Sequence, residues 1–588
     1  MRSKNCHLLI SGRMKSANVV SVRFTPAETE PSSAKELIRG SQTYTLPIDT
    51  MDLPTKFQDD LAAALAACVI ANIHRYRSDG FAPAIGRLVP QLERILDSEA
   101  SGMDVRARAR LMNCYSVARG ILFDHSGNRE DLESAIAVSE KATSILGRNE
   151  FPRDWSRGRA NHGLATARLG SVLENTDLLE RGAEIIRDSL PEHTKDLISW
   201  TKVQLGLAFV YMQIFYIRQT IDDLQRALDV YGQIATDELR ERDPLMWGAA
   251  NHQHGNALVS LAEVRTDDDA LARAMEAFTH TLEVWTQESP ILRTLALISL
   301  ASALMSLGSR QSNLDWYTNA VSYLDEAKTL VSEKHDLRIW LTIQSNLGYA
   351  LSMIGEHDPT QINRALLILR EADRRVSKQD IELSSKIGLN LARALVLEGE
   401  RSENMDRLEE SVRILETLRH GDNLTVRNDA TLLLAAAYRS LGKQKGDPIP
   451  LGSSQDVLEQ LLARIDPVRS PLFFFRAQQS LGYTLRELGL TTDELQLLSK
   501  SAEVFSDGLK FVSEEASSSS WAGVQFRLSA TYFEIAKRTG SLSDLTSSQT
   551  ALGNAVALLN LQDKGPLARA ARNLAQTIEE FKQETTLR

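Results

Sequence analysis

The chain has 588 residues and a formal net charge of −10, with 43% hydrophobic and 24% charged residues. A surface built to neutralise phosphates is normally basic, so this balance argues against nucleic acid as a partner. Three cysteines (Cys6, Cys68, Cys114) without CxxC spacing give neither a disulfide framework nor a zinc site, and Cys68, in an Ala-rich apolar run, reads as a buried thiol.

The first residues differ from the rest. The N-terminal apolar run extends only from Leu8 to Ile10, too short for a signal-peptide core. No run of about 18 apolar residues is seen, so membrane insertion is not expected. A cytoplasmic location is the default expectation. Residues 1–55 read as a leader with short β-like pieces at His7–Ser11, Asn18–Phe24 and Gln42–Ile48, interrupted by a Thr/Pro/Glu/Ser stretch from Thr25 to Ser33. Three readings stay open: a mostly disordered leader, a segment folded back along the rest, and the remnant of an upstream domain.

Residues 56–98 read as a helix pair, one helix covering Leu61 to Ile70 and a second near Ile85 to Leu96, where Pro90 should kink or shorten it. From there a phrase returns every 43 to 49 residues, clearest as Asn346-Leu-Gly-Tyr-Ala-Leu-Ser-Met-Ile-Gly355. Its anchor positions are Tyr115, Gly163, Gly206, Gly255, Ala301, Gly348, Ala392, Ala435, Gly482 and Ser529. Leu347, Leu351 and Ile354 share one helical face. The small anchors admit a second helix at close range. A second glycine follows seven places on, at Gly170, Gly308, Gly355, Gly399, Gly442 and Gly489, and is expected to end the helix in a left-handed cap. Polar residues such as Asp358, Thr360 and Asp267 to Asp269 then supply N-caps.

The second helix carries its own small anchor at Ala135, Ala227, Ala274, Ala320, Ala365, Ser411, Ala502 and Ala555. Neither helix buries its apolar stripe alone; stacking the pairs does. Trp155, Trp247, Trp340, Phe474 and Trp521 each precede an anchor by eight residues, two helical turns, and read as core plugs. Two places look loosened: Lys443 to Ser454, rich in Gly, Pro and Lys, and the serine run Ser517–Ser520. The expected organisation is all-α: a leader over 1–55, a superhelical solenoid of ten to eleven antiparallel helix pairs over 56–564, and a polar capping helix over 565–588.

The Leu-Gly-x-Ala-Leu-x-x-x-Gly phrase and the later Leu-x-x-Ala phrase resemble the two helix signatures of tetratricopeptide repeats, over roughly residues 100–564. The period departs from the family's, being over 40 residues against about 34. HEAT and armadillo arrays are nearer in length, but the Gly/Ala anchors favour the tetratricopeptide reading. The resemblance implies a right-handed superhelix whose first helices line a concave groove, with groove-facing positions six and three before the anchor and one and four after it. Those positions carry Arg157, His252, Asn256, Ser345, Tyr349, Ser352, Lys386, Arg393, Arg439, Arg476, Gln479, Tyr483 and Arg486. Asn256 and Arg393 resemble members of the family's carboxylate clamp, although they are not in adjacent repeats. The basic and aromatic set in the later repeats suits an acidic peptide, because guanidinium groups fork onto carboxylates.

No catalytic constellation emerges. Gly442-Lys-Gln-Lys-Gly446 lacks phosphate-loop spacing. His252 and His254 face apart on a helix. Asp267 to Asp269 occupies the polar loop where N-caps belong. Cys114 lacks an identifiable histidine partner. The expectation is therefore a non-enzyme without cofactor or metal: an interaction scaffold that holds a partner protein or peptide, with an acidic segment, in its groove. The alternative is a regulatory protein switched by a ligand or short peptide through the groove and the N-terminal segment.

Overall fold

A computed structural model of the chain describes residues 8–16, 19–26, 50–54, 82–97, 103–193, 196–265, 267–287, 289–311, 313–334, 336–421, 423–467, 470–511, 518–558 and 566–586. Among these residues lie 23 α-helices and one three-stranded sheet. Contacts divide the chain into two compact units, Met1–Leu261 with Ala272–Ala296, and Ala262–Leu271 with Leu297–Arg588.

The first unit opens with strands β1 (Leu8–Ser16), β2 (Val19–Pro26) and β3 (Thr50–Pro54), antiparallel in the order β1-β2-β3. The register shifts between Met14 and Ser16, a bulge that bends β1. The first two strands fall on the first two β-like pieces of the sequence. The third lies beyond Gln42–Ile48, which is outside the described residues. In these segments the leader forms a sheet. A small sheet is marginal unless something covers it, and β3 lies against helix α2 (Val105–Ser126).

Helix α1 (Ala82–Asp97) runs through Pro90 without ending there. Pro90 and Gly86 are both exposed, so the carbonyl that Pro90 leaves without a donor faces water, and the expected shortening does not occur. The companion helix expected over Leu61 to Ile70 lies outside the described residues. After α2 come α3 (Arg129–Ile145), α4 (Pro152–Val172), α5 (Thr176–Ser189), a 3₁₀ turn, α6 (Leu197–Arg218), α7 (Ile221–Ile234) and the short α8 (Asp237–Arg242). Next are α9 (Pro244–Arg265), α10 (Asp268–Val284) and α11 (Pro290–Gln311), each contributing residues to both units. The second unit continues with α12 (Leu314–Leu330), α13 (Leu337–Gly355), α14 (Pro359–Arg375), α15 (Ile381–Arg401), α16 (Met405–Leu418), α17 (Leu424–Lys445), α18 (Pro448–Leu462), α19 (Pro471–Thr492), α20 (Leu495–Gly508), α21 (Ser518–Thr539), α22 (Leu542–Leu558) and α23 (Pro566–Thr586). Consecutive helices pack on one another within each unit, as in a solenoid.

Every anchor named from the sequence is buried, and so is every second-helix anchor from Ala135 to Ala555. The packing explains why the anchors are small. A methyl added at Gly348 would meet Leu369, and one at Gly355 would meet Ile362, so the earlier position on α13 faces the later one on α14 and the pair is antiparallel. Gly255 and Gly482 lie in the same way under the rings of Phe278 and Phe505.

The second glycine has a different role from the one its sequence suggests. Positive φ among the described glycines is confined to Gly127, Gly446 and Gly540, so Gly170, Gly308, Gly355, Gly399, Gly442 and Gly489 are not left-handed caps. They are sites of close approach: Leu179, Tyr317, Ile362, Leu408, Leu451 and Leu498 respectively crowd the position a Cβ would take. The left-handed residue comes four places later, at Glu174, Glu403, Gly446 and Asp493. The carbonyls of Gly170, Gly399, Gly442 and Gly489 then accept from Asn175 N at 2.8 Å, Asn404 N at 3.0 Å, Asp447 N at 3.0 Å and Glu494 N at 3.1 Å. This is the 6→1 bond of a Schellman ending, with the glycine inside the last turn.

N-caps appear where the sequence places them. Asp358 Oδ1 accepts from Thr360 N at 3.0 Å, and Asp267 Oδ1 accepts from Ala270 N at 3.1 Å. The stretch Lys443 to Ser454 is not loose. It consists of the end of α17, a two-residue turn at Gly446 and Asp447, and the first turn of α18, where Pro448 is tolerated because its missing N–H has no helical partner to lose. Ser518 to Ser520 likewise open α21.

Successive pairs are tied by side chains 42 to 48 residues apart. In the first unit Asn161 Nδ2 donates to Asn113 Oδ1 at 2.8 Å and Ser171 Oγ to Gln213 Oε1 at 2.8 Å. In the second, Asn390 Nδ2 donates to Ser345 Oγ at 3.0 Å and Gln444 Nε2 to the Gly399 carbonyl at 3.1 Å. Trp247 and Trp340 are buried, and Trp155 packs partly into the first core cluster. An arginine lies over each of them: Arg148 at 4.6 Å from the Trp155 ring centre, Arg240 at 4.8 Å from Trp247 and Arg375 at 5.4 Å from Trp340. Helix α11 is long and apolar enough to cross a membrane by length and composition, a feature the sequence reading overlooked; 67% of its most apolar window is buried inside the protein, as in a core helix.

Candidate partner-binding site

Five first helices of the second unit carry one long side chain each at intervals of 44 to 46 residues: Tyr349 on α13, Arg393 on α15, Arg439 on α17, Tyr483 on α19 and Arg527 on α21. Arg393 lies 5.5 Å from the centre of the Tyr349 ring, which meets Tyr317 edge-on at 6.2 Å. Arg439 and Arg527 lie 5.7 and 5.5 Å from the centre of the Tyr483 ring. Rings hold guanidinium groups by cation–π attraction without neutralising them.

The larger described cavity, about 840 Å³, is built around Tyr483. Its walls are Glu400, Glu403, Met405, Arg439, Ser440, Lys443, Gln444, Tyr483, Arg486, Glu487 and Arg527. Arg486 Nη1 pairs with Glu487 at 3.2 Å, and the Ser440 hydroxyl donates to Glu400. Arg439 Nη1 reaches Ser480 Oγ at only 3.4 Å. Burial pushes the Arg439 guanidinium below its ordinary pKa, opposed by Glu400, Tyr483 and Glu487 and reinforced by Arg527. Burial does the same to Arg486, opposed chiefly by Glu487. Both remain charged, because an arginine does not lose its proton in a protein.

A second cavity, about 530 Å³, is lined by Glu263, Ser302, Met305, Ser306, Ser309, Arg310, Tyr349, Phe475, Arg476 and Gln479. Its lining joins the ends of α9 and α11 with the start of α19. Glu263 there is held above the usual carboxylate range, first by burial and then by Asp429, against the pull of Arg310. Gln479 Nε2 donates to Tyr483 Oη at 3.1 Å and joins the two cavities.

The residues expected in the groove therefore separate into groups. Arg439, Tyr483 and Arg486 meet in the first cavity, and Tyr349, Arg476 and Gln479 in the second. Arg393 lies over the Tyr349 ring. Lys386 is exposed and pairs with Glu382 at 2.7 Å. Arg157 and Asn256, in the first unit, are half-buried, with Arg157 beside Asp154 and Asn113.

Three expectations are corrected. Ser352 is fully buried and donates to the Gly348 carbonyl at 2.7 Å. Ser345 is buried and takes the Asn390 amide. His252 is buried between Phe278 at 5.6 Å and Trp285 at 5.3 Å, where burial lowers its pKa to about 4. All three positions point into the stack because the neighbouring helix covers them.

Two functional candidates were missed. Arg527 lies two places before its anchor, nearly one turn earlier than the position used elsewhere, so the face is the same but the register is not. Lys443 sits beyond the groove positions, and the extension of α17 to Lys445 places it on the cavity wall.

No family model matches the chain, and no curated protein matches it.

Proposed function

We propose that the chain is a tetratricopeptide-like scaffold, a right-handed superhelix of ten to eleven helix pairs, that captures an acidic segment of a partner protein in the cavity around Tyr483. The observation that carries this reading is the gathering of Arg439, Arg486 and Arg527 from three consecutive first helices about one aromatic ring. Guanidinium groups on a stiff helical frame are preorganised to fork onto carboxylates. The ring and Met405 offer apolar cover to the segment that carries them. The ordered turn at Gly446 and Asp447 holds Lys443 on the same wall. A cavity of this size admits several side chains of a peptide.

The test is fluorescence anisotropy with a labelled peptide rich in Asp and Glu, against a control of the same length with Lys in their place. The acidic peptide is expected to bind, with affinity falling steeply as salt rises. Arg439→Ala with Arg527→Ala should weaken it by about 3–6 kcal/mol, the range for losing two charge-assisted contacts. Unchanged affinity in that double variant, with the helical circular dichroism intact, refutes the assignment.

A further inference from the structure

Carboxylates and phosphoryl groups make different demands on arginine, and the cavity around Tyr483 favours the second. A single carboxylate is satisfied by one guanidinium fork, whereas a phosphoryl dianion offers three acceptor oxygens and about twice the charge. Arg439, Arg486 and Arg527 are joined on the wall by Lys443, giving four cations against Glu400, Glu403 and Glu487. The acidic groups are partly engaged already: Glu487 on Arg486 and Glu400 by the Ser440 hydroxyl. Neither Arg439 nor Arg527 has a carboxylate within 4.0 Å among the described residues. Both rest on the Tyr483 ring instead. The Nε of Arg486 is buried without a hydrogen-bond partner. Leaving buried donors and charges uncompensated is costly, and the burial that lowers the pKa of Arg439 and Arg486 is a sign of that cost.

We propose that the group this cavity selects is a phosphoryl dianion, carried on a side chain of the partner's acidic segment, with Arg439 and Arg527 as its two principal ligands and Arg486 and Lys443 completing the charge. The proposal rests on the reading of the cavity as a peptide-binding site. It would make capture dependent on phosphorylation of the partner, since the unmodified hydroxyl brings neither the charge nor the acceptor oxygens.

The test titrates the full chain with inorganic phosphate, O-phosphoserine and glutamate at constant ionic strength, read by calorimetry and by phosphorus line broadening. Phosphate and phosphoserine should displace one another and bind at least about tenfold more tightly than glutamate. Arg439→Gln and Arg527→Gln should each weaken phosphoserine by about tenfold or more. Arg413→Gln, exposed on α16 and outside the lining of either cavity, should leave it unchanged and serves as the control for general loss of positive charge. Glutamate binding as tightly as phosphoserine overturns the proposal, as does phosphate binding that survives both Arg439→Gln and Arg527→Gln. If the acidic peptide of the preceding experiment binds while phosphoserine does not, the phosphoryl selection fails and the acidic-segment reading stands; if phosphoserine binds and the acidic peptide does not, the reverse holds.

Discussion

Replacing Gly482 by alanine adds one methyl to the most confined point of the α19–α20 pair. Its Cβ would lie 2.5, 2.6 and 2.8 Å from Cε1, Cδ1 and Cζ of Phe505, where comfortable contacts begin at 3.4 Å. Phe505 is itself 1% exposed and cannot swing out. The backbone is pinned as well, because Ser501 Oγ donates to the Gly482 carbonyl at 2.8 Å. Overpacking of this kind costs about 1–3 kcal/mol. Alanine returns up to about 1 kcal/mol through its better helix propensity. The net expectation is a loss of about 1–2 kcal/mol. Gly553 on α22 is exposed with nothing within 4 Å, so Gly553→Ala should stabilise by up to about 1 kcal/mol. Adding Phe505→Leu to Gly482→Ala should recover part of the loss, with a coupling of about 1 kcal/mol in the double-mutant cycle. Urea denaturation followed by circular dichroism measures these differences. Amide exchange resolved to α19 and α20 localises them, since a long array need not unfold in one step. Equal stability of the Gly482→Ala and Gly553→Ala variants, or zero coupling to Phe505, would refute the claim that the anchors are small to admit the second helix.

His252 is neutral in the fold, its pKa lowered from 6.5 to about 4 by burial. A depressed histidine pKa means that the unfolded chain takes up a proton first as pH falls. Wild-type stability should therefore drop between pH 6.5 and 4 by up to about 3 kcal/mol more than that of His252→Leu, measured by urea midpoints at each pH. Asp154 is buried and accepts from Arg110 Nε at 2.8 Å and Arg106 Nε at 2.6 Å. Burial alone would raise its pKa, but the two arginines hold it below the usual carboxylate range. Asp154→Ala should cost about 3–5 kcal/mol, because it removes the buried carboxylate on which Arg106 and Arg110 both pair, and a thermal melt at neutral pH checks this.

The repeat was legible because packing and capping use few residue types. Small anchors mark helix crossings, and Asp or Asn after the second glycine marks the next helix start. What the second glycine does was not legible. A glycine near a helix end fits both a left-handed cap and a close approach, and only the neighbours, such as Ile362 beside Gly355, decide between them. The left-handed turn itself falls on Glu174, Glu403 and Asp493, and glutamate gives no signal for it. Pro448 read as a loop and proved to be the first turn of a helix, a position equally suited to proline.

The candidate site was legible by halves. Arg439, Tyr483 and Arg486 follow from the repeat register. Arg527 does not, since a shift of nearly one turn leaves the face unchanged and hides the residue from a position-based search. His252, Ser345 and Ser352 satisfy the register but are covered by neighbours, which spacing does not reveal. The meeting of Glu263 and Arg310 with Arg476 and Gln479 across the second cavity joins residues several repeats apart in the chain, which the register of a single repeat does not reveal.

The most direct measurement of the central claim is amide exchange of the full chain with and without a saturating acidic peptide. Protection is expected in the segments that wall the cavity, at 436–446 on α17, 479–490 on α19 and 524–530 on α21, and it should vanish in the Arg439→Ala, Arg527→Ala variant. Peptide-dependent protection confined to other helices, or the same protection in the variant, would contradict the claim that this cavity is where the partner binds.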